Sequence, residues 1–284
     1  MPSTVTLASG SKLPILGFGV YQVLDPRNST LLALQAGYRH IDSARVYRNE
    51  LAVGEAVAEF KPTNKDANVF LTSKIQGKQH ATAKANAAVD ESIATLAGMG
   101  ISWDLYLLHD ATSGPIRRLE AWRVLEQKVK EGSLRAIGVS NFVSNSRRFS
   151  RVPFLRLRFC SFIAQDPYVT ILSHLISQSH VHLAEFAAAG VTKPEVNQIE
   201  LHPFNQQRPI VEYCRANGII IQAYCPLVRG TRFDDPTIQA IAREVCPPLP
   251  STAIGDAQRL IRQLADESLT RADLGTLVAA KGIR

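Results

Sequence analysis

The sequence predicts an α/β protein whose parallel strands close into an eight-stranded barrel, and three observations predict it. Short apolar runs ending in polar residues recur along the chain: "RHIDSA" from residue 39, "VFLTSK" from 69, "LYLLHD" from 105, "RAIGVSN" from 135, "VNQIEL" from 196 and "IIIQAYCP" from 219. Runs rich in β-branched residues suit strands buried on both faces. Between them lie amphipathic segments of helical period. Six or seven such alternations mean right-handed βαβ units, and in one domain of 284 residues they favour a closed barrel.

A doubly wound open sheet would carry a dinucleotide fingerprint after an early strand, and "GFGVYQ" at 17–22 holds only part of one. It lacks the third glycine that a doubly wound open sheet would need, and that alternative is set aside. The strand at 39–44 leads to a helix over "ELAVGEAVAEF" (50–60), and the strand at 69 leads to one over "AKANAAVDESIATL" (83–96). After the strand at 105 comes "RRLEAWRVLEQKVKEG" (117–132), closed by Gly132 before the strand at 135. In a barrel, chemistry collects at the C-terminal ends of strands. Asp42, Lys74, His109, Ser140, Asn141, Gln198 and Tyr224 fall there.

Composition excludes several other functions. With 45% hydrophobic residues the chain can bury one large core. No run reaches the roughly 18 apolar residues of a membrane span, and "MPSTVTLASGSKLP" lacks the regions of a secretory signal, so a cytosolic protein is expected. Cys160, Cys214, Cys225 and Cys246 show neither zinc spacing nor the density of a disulfide framework, which predicts free thiols and no metal. The net charge of +7 invites a nucleic-acid reading, but residues 143–178 alone hold five arginines and one acid. The remainder carries 27 basic residues (32 − 5) against 24 acidic ones (25 − 1), so no nucleic-acid partner is expected.

Four positions carry the chemistry: Asp42, Lys74 and His109 at strand ends, and Tyr47 just beyond the first of them. A lysine on an apolar strand needs a partner to stay charged, and Asp42 at the neighbouring strand end can provide one. A tyrosine beside that ammonium is expected to ionise more easily than in water and to hand over a proton, and His109 can donate a hydrogen bond to a carbonyl oxygen. Each residue has an ordinary structural reading when taken alone. Together at three strand ends they point to a site.

The stretches "GYRHIDSARVYRNE", "VFLTSKI", "RAIGVSNF", "GVTKPEVNQIELHPF" and "IIIQAYCPLVRG" resemble the aldo-keto reductase family over roughly residues 5–245. The resemblance implies a (β/α)8 barrel, of the TIM type, with an N-terminal hairpin at "VTLASGSKLPILG" closing its floor. It implies NADPH-dependent reduction of an aldehyde or ketone to an alcohol, with NADH not excluded. Tyr47 would be the proton donor, Lys74 and Asp42 its tuning pair, and His109 the residue orienting the carbonyl. Ser140, Asn141 and Gln198 would hold the nicotinamide carboxamide, and Tyr224 would stack on the ring. Cys225, standing for a serine, and Leu227 would lie along the cofactor, with Thr252 and Arg259 near the adenosine phosphate. Tyr21 would line the substrate pocket. The partner implied is a small-molecule carbonyl substrate, with the protein a monomer or weak dimer. "LHDATSGP" after His109 departs from the family's frequent pattern, so substrate preference does not carry over.

Two segments depart from the pattern. Removing residues 143–178 joins "SNF" to "SHVHLAEFAAAGVTKPEVNQ" in register, and the removed stretch has no glycine, lysine or glutamate. Val143 and Ser144 are compatible with a GT-AGT codon start and Gln178 with CAG, the usual edges of a eukaryotic intron. The stretch therefore reads as a translated, non-native or disordered insertion in a single barrel spanning 1–284. A basic aromatic nucleic-acid segment and a true active-site loop are the competing readings. Near 246–250 about a helix and most of a strand are missing relative to the family, so the barrel is expected to be incomplete at its eighth strand. The alternatives to carbonyl reduction are an inactive product of a misprocessed transcript and a cofactor-binding, non-catalytic subunit.

Overall fold

The computed structural model describes residues 4–61, 68–142, 181–245 and 277–279. The expected insertion at 143–178, the gap near 246–250, Thr252 and Arg259 lie outside the described residues. Strands β1 (Thr4–Thr6) and β2 (Lys12–Pro14) form an antiparallel hairpin with Val5 opposite Leu13. The barrel follows as β3 (Leu16–Gly19), β4 (His40–Asp42), β5 (Phe70–Ile75), β6 (Leu105–Leu108), β7 (Ala136–Ser140), β8 (Val196–Glu200), β9 (Ile220–Tyr224) and β10 (Leu277–Ala279). Outside it run α1 (Pro26–Gln35), α2 (Glu50–Phe60), α3 (Thr82–Ala97), α4 (Pro115–Lys130), α5 (Val181–Ala188), α6 (Arg208–Ala216) and α7 (Pro236–Val245).

Strands β3 to β9 pair in parallel with their sequence neighbours, and β10 joins β9 back to β3. The ring closes thinly at its eighth strand: β10, three residues long like β4, meets β9 at a single position, Leu277 opposite Ala223, in keeping with the expected incompleteness there. The physical reason for closure is the cost of two bare edges. Without a partner, β3 and β9 would present rows of unpaired backbone groups, and "LVA" of the tail pairs with β3 at three positions and with β9 at one.

The apolar runs form strands because both of their faces are covered. All six residues of β5 are buried. Outward residues such as Ile41, Leu71, Tyr106, Ile137, Ile199 and Ile221 pack in one core with Leu34, Val53, Val57, Val89, Trp122, Phe186 and Ile210 of the helices. Inward residues Phe70, Leu105, Leu107, Ala136 and Val196 form a second cluster that Leu7 and Leu13 of the hairpin seal from below. Burying one such side chain contributes roughly 1.5–3 kcal/mol. The barrel is tightly filled at two glycines. A Cβ on Gly138 would stand 2.6 Å from the Val196 carbonyl oxygen, and one on Gly17 would stand 2.7 Å from Nδ1 of His40.

Helix starts follow local chemistry. Asp25 caps α1 by accepting the Asn28 backbone N–H at 3.0 Å, with Pro26 in the first turn, where its missing donor costs nothing. Pro115 plays the same part in α4, after Gly114 at φ 83°. Helix α2 begins directly after a single 3-10 turn, Arg45–Tyr47, which reverses through Arg48 at φ 58°. That turn carries Tyr47 onto the C-terminal face of the barrel.

Candidate active site

Asp42 ends β4, and Lys74 stands one residue from the end of β5. The Lys74 ammonium donates to Asp42 Oδ1 at 2.5 Å and to the Ser43 carbonyl at 2.7 Å. Lys74 is fully buried and Asp42 is 4% exposed, so each charge has lost its water and leans on the other. Burial pulls the lysine's pKa down, and the Asp42 carboxylate opposes that pull. Gln198 of β8 donates to the other carboxylate oxygen at 2.8 Å, which ties opposite sides of the barrel together.

The Tyr47 hydroxyl lies 3.4 Å from Nε2 of His109, the residue that follows β6. The Lys74 ammonium sits 5.3 Å from the centre of the Tyr47 ring. Burial and the Asp42 carboxylate push the Tyr47 phenol above its ordinary pKa. This reverses the expected drop. The sequence puts a cation beside the tyrosine, but that cation's hydrogens are directed at Asp42 and Ser43, and the phenol's surroundings are otherwise low in dielectric. The tyrosine is therefore held firmly protonated. Burial and the nearby lysine push His109 down to about 4, which keeps its imidazole neutral near pH 7.

On the other side of the mouth Asn141, at φ 58°, donates to the His109 carbonyl at 2.9 Å and to Ser140 Oγ at 3.1 Å. Its amide oxygen accepts from the Tyr224 hydroxyl at 2.7 Å. Ser140, Asn141, Gln198 and Tyr224 thus stand along three consecutive strand ends, β7, β8 and β9. Cys225 follows at φ 53°, and Leu227 is buried in the same turn. The Cys225 side chain beside Arg229 raises the guanidinium's pKa. Tyr21, in the loop after β3, packs on Tyr47 with ring centres 4.8 Å apart. Asp42, Lys74, Tyr47, His109 and Tyr21 therefore gather on one side of the mouth, and Asn141 links His109 to Tyr224 on the other.

Sequence reasoning passed over Ser43, Asn49 and Glu50. Ser43 donates to Asn49 Oδ1 at 2.7 Å, and Asn49 donates to the Val20 carbonyl at 2.9 Å. The Glu50 carboxylate accepts from the Ser73 and Ser92 hydroxyls. A signal was present: Glu50, Val53, Gly54 and Val57 share the buried stripe of α2, and an acid in a core stripe is unusual. Among the described residues no group of three His, Cys, Asp or Glu could hold a metal ion, and no helix is long and apolar enough to cross a membrane.

Polar residues gathered from successive strands at the C-terminal face define a (β/α)8 barrel enzyme. The chain belongs to the aldo/keto reductase family, whose sequence pattern matches residues 28–247. It is 35% identical over 244 residues to an uncharacterized oxidoreductase of Schizosaccharomyces pombe, covering 84% of this chain and 74% of that protein. Against glyoxal reductase of Bacillus subtilis the identity is 31% over 247 residues, with 86% and 74% covered. A mutant of Gox0644 solved in complex with NADPH superposes with a TM-score of 0.70 at 26% identity, covering 99% of this chain and 83% of that one.

Proposed function

We propose that the protein reduces an aldehyde or ketone to an alcohol, taking hydride from NADPH and a proton from Tyr47. One observation carries the reading: the Tyr47 hydroxyl and the His109 imidazole meet at 3.4 Å above a buried Lys74–Asp42 pair, at the face where barrel enzymes work. A carbonyl oxygen seated between them would accept hydrogen bonds from both. With its proton on Nε2, neutral His109 donates and polarises the carbonyl, while the phenol gives up its proton as negative charge grows on that oxygen. Lys74 and Asp42 hold that corner of the site, and Lys74 balances the phenolate that forms.

The donor set fits a nicotinamide. Two side-chain amides, Asn141 and Gln198, and the Ser140 hydroxyl match a carboxamide's donors and acceptors, and the Tyr224 ring is fixed by Asn141 for stacking. The bound nicotinamide would supply hydride to the carbonyl carbon. Cys225 and Leu227 line the adjoining turn, and the neighbour solved with NADPH supports the phosphorylated cofactor. Tyr21 would wall the substrate side. In the Tyr47→Phe variant, reduction of a reactive aromatic aldehyde should fall by about a thousandfold, the scale of a lost proton donor. Nicotinamide fluorescence titration should give a nearly unchanged cofactor affinity. Retained turnover would remove Tyr47 from the mechanism.

We further infer that residues 143–178 are no part of the working barrel. The support lies at their flanks, where the Phe142 and His182 rings pack edge to face at 5.8 Å, so the chain leaves and rejoins the fold at nearly one point. Deleting 143–178 should leave soluble protein with reductase activity at or above that of the full chain. Loss of activity in a soluble deletion variant would make the segment a functional loop.

A further inference from the structure

We propose that Asn49 and Glu50, the consecutive buried residues that open α2, are positioning residues that fix Tyr47 and Lys74 relative to each other. This rests on the reading of Tyr47 as proton donor. Tyr47 is carried by a three-residue turn, and one exposed left-handed residue, Arg48, separates it from Asn49. Such a turn has few bonds of its own: Tyr47 N–H to the Ala44 carbonyl at 2.8 Å and Arg48 N–H to the Arg45 carbonyl at 3.2 Å. Arg45 of the turn reaches Glu91 of α3 and Tyr47 reaches His109, but what fixes the turn's backbone on the strand ends lies beside it.

On one side, Asn49 spans two strand ends. It accepts from the Ser43 hydroxyl and donates to the Val20 carbonyl, beyond β4 and β3 respectively. Ser43 is also the residue whose carbonyl receives the Lys74 ammonium. One serine thus couples the start of α2 to the lysine, with its hydroxyl held by Asn49 and its carbonyl bonded to Lys74. On the other side, Glu50 takes the hydroxyl of Ser73, the neighbour of Lys74 on β5, and of Ser92 on α3. Asn49 therefore sets the turn against β4, and Glu50 sets it against β5.

Neither residue reaches the site mouth, yet both are almost wholly buried, where a polar group without a role would cost stability. Glu50 is also the second carboxylate, after Asp42, whose charge favours the Lys74 ammonium. The other titratable groups around that ammonium are Asp42 and His40 of β4, Tyr47 of the turn and His109 after β6. Placement errors of an ångström or less at a proton donor are costly to rate while leaving binding intact.

The test uses the full chain. Asn49→Ala, Ser43→Ala and Glu50→Gln are compared with wild type and with Tyr47→Phe for kcat, KM, NADPH affinity by fluorescence, thermal midpoint and pH profile. Asn49→Ala should lower kcat by about tenfold with KM and cofactor affinity within about twofold of wild type. Ser43→Ala, which keeps the carbonyl used by Lys74, should show the same split more weakly, and it carries the test if Asn49→Ala does not fold. Glu50→Gln should move the alkaline limb of the kcat profile to lower pH, because an anion supporting the lysine's charge is gone. A lower thermal midpoint with kcat and pH profile unchanged in these variants makes both residues merely structural and overturns the proposal. If Tyr47→Phe keeps its turnover, or wild type has none, the donor reading fails and takes this inference with it. If Tyr47→Phe is dead while the Asn49, Ser43 and Glu50 variants behave as wild type, this inference alone fails.

Discussion

At the scale of single residues, the barrel interior is unusually polar for a folded core, and its titration should show in stability. His40 is fully buried, bonded through Nε2 to Thr72 Oγ1 at 2.9 Å, and burial pushes its pKa down to about 4 from 6.5. The folded state then resists protonation that the unfolded chain accepts. Between pH 6.5 and about 4 the unfolded state binds more protons, so stability is full above 6.5 and drains away as pH falls through that window. For His40 alone the loss is on the order of 3 kcal/mol by pH 4. Urea unfolding midpoints measured from pH 7 to pH 4.5 should fall steeply in wild type and less steeply in His40→Asn. That Asp42, Lys74 and His109 share one end of the barrel was legible because three apolar runs stop at polar residues, although each alone has an ordinary structural reading. The direction of the Tyr47 shift was not legible. A sequence shows that a lysine and a tyrosine share a neighbourhood, but which group takes the lysine's hydrogens is set by distances, and Asp42 with Ser43 took them.

At the scale of elements, the helices on both sides of residues 143–180 are joined by one ion pair between buried Arg118 and half-buried Glu185. Arg118 of α4 places its guanidinium bidentately on Glu185 of α5, with contacts of 2.6 and 3.0 Å, and also donates to the Ala111 carbonyl in the loop after His109. Trp122 and Phe186 stack beside it with ring centres 4.9 Å apart. Removing Glu185 leaves the buried Arg118 guanidinium with the Ala111 carbonyl but no carboxylate, so Glu185→Ala should cost about 3 kcal/mol in chemical denaturation. Replacing both, as Arg118→Met with Glu185→Leu, should recover much of that loss. Helices α2 and α4 were readable within a residue or two from period alone, since α2 occupies the predicted 50–60 and α4 runs 115–130 against 117–132. Helix α5 was readable only by excising the stretch before it, because no periodicity crosses 143–178. Pairings such as Arg118 with Glu185 span 67 positions and leave no local trace.

At the scale of the whole molecule, a cylinder has no edges only if every strand is present. Six strands, β4 to β9, were visible as apolar runs, whereas β3 was not singled out because its four residues, Leu16–Gly19, run into the glycines of "GFGVYQ". Strand β10 was invisible because three residues in a mixed tail carry no period, and their conformation comes from the open edges they meet. Truncating the chain after residue 276 should expose both edges. Light scattering and size-exclusion chromatography should then report association at concentrations where the full chain elutes as a single species.

The seam between β10 and β3 joins a strand beginning at residue 16 to one ending at residue 279. During synthesis the first seven staves leave the ribosome long before the last can reach them, so the vessel stays split along one side until translation has passed residue 279. The time spent in that half-made state is set by the stretch between Tyr224, where β9 ends, and Leu277, where β10 begins, and every codon there lengthens the exposure to chaperones and to neighbouring nascent chains.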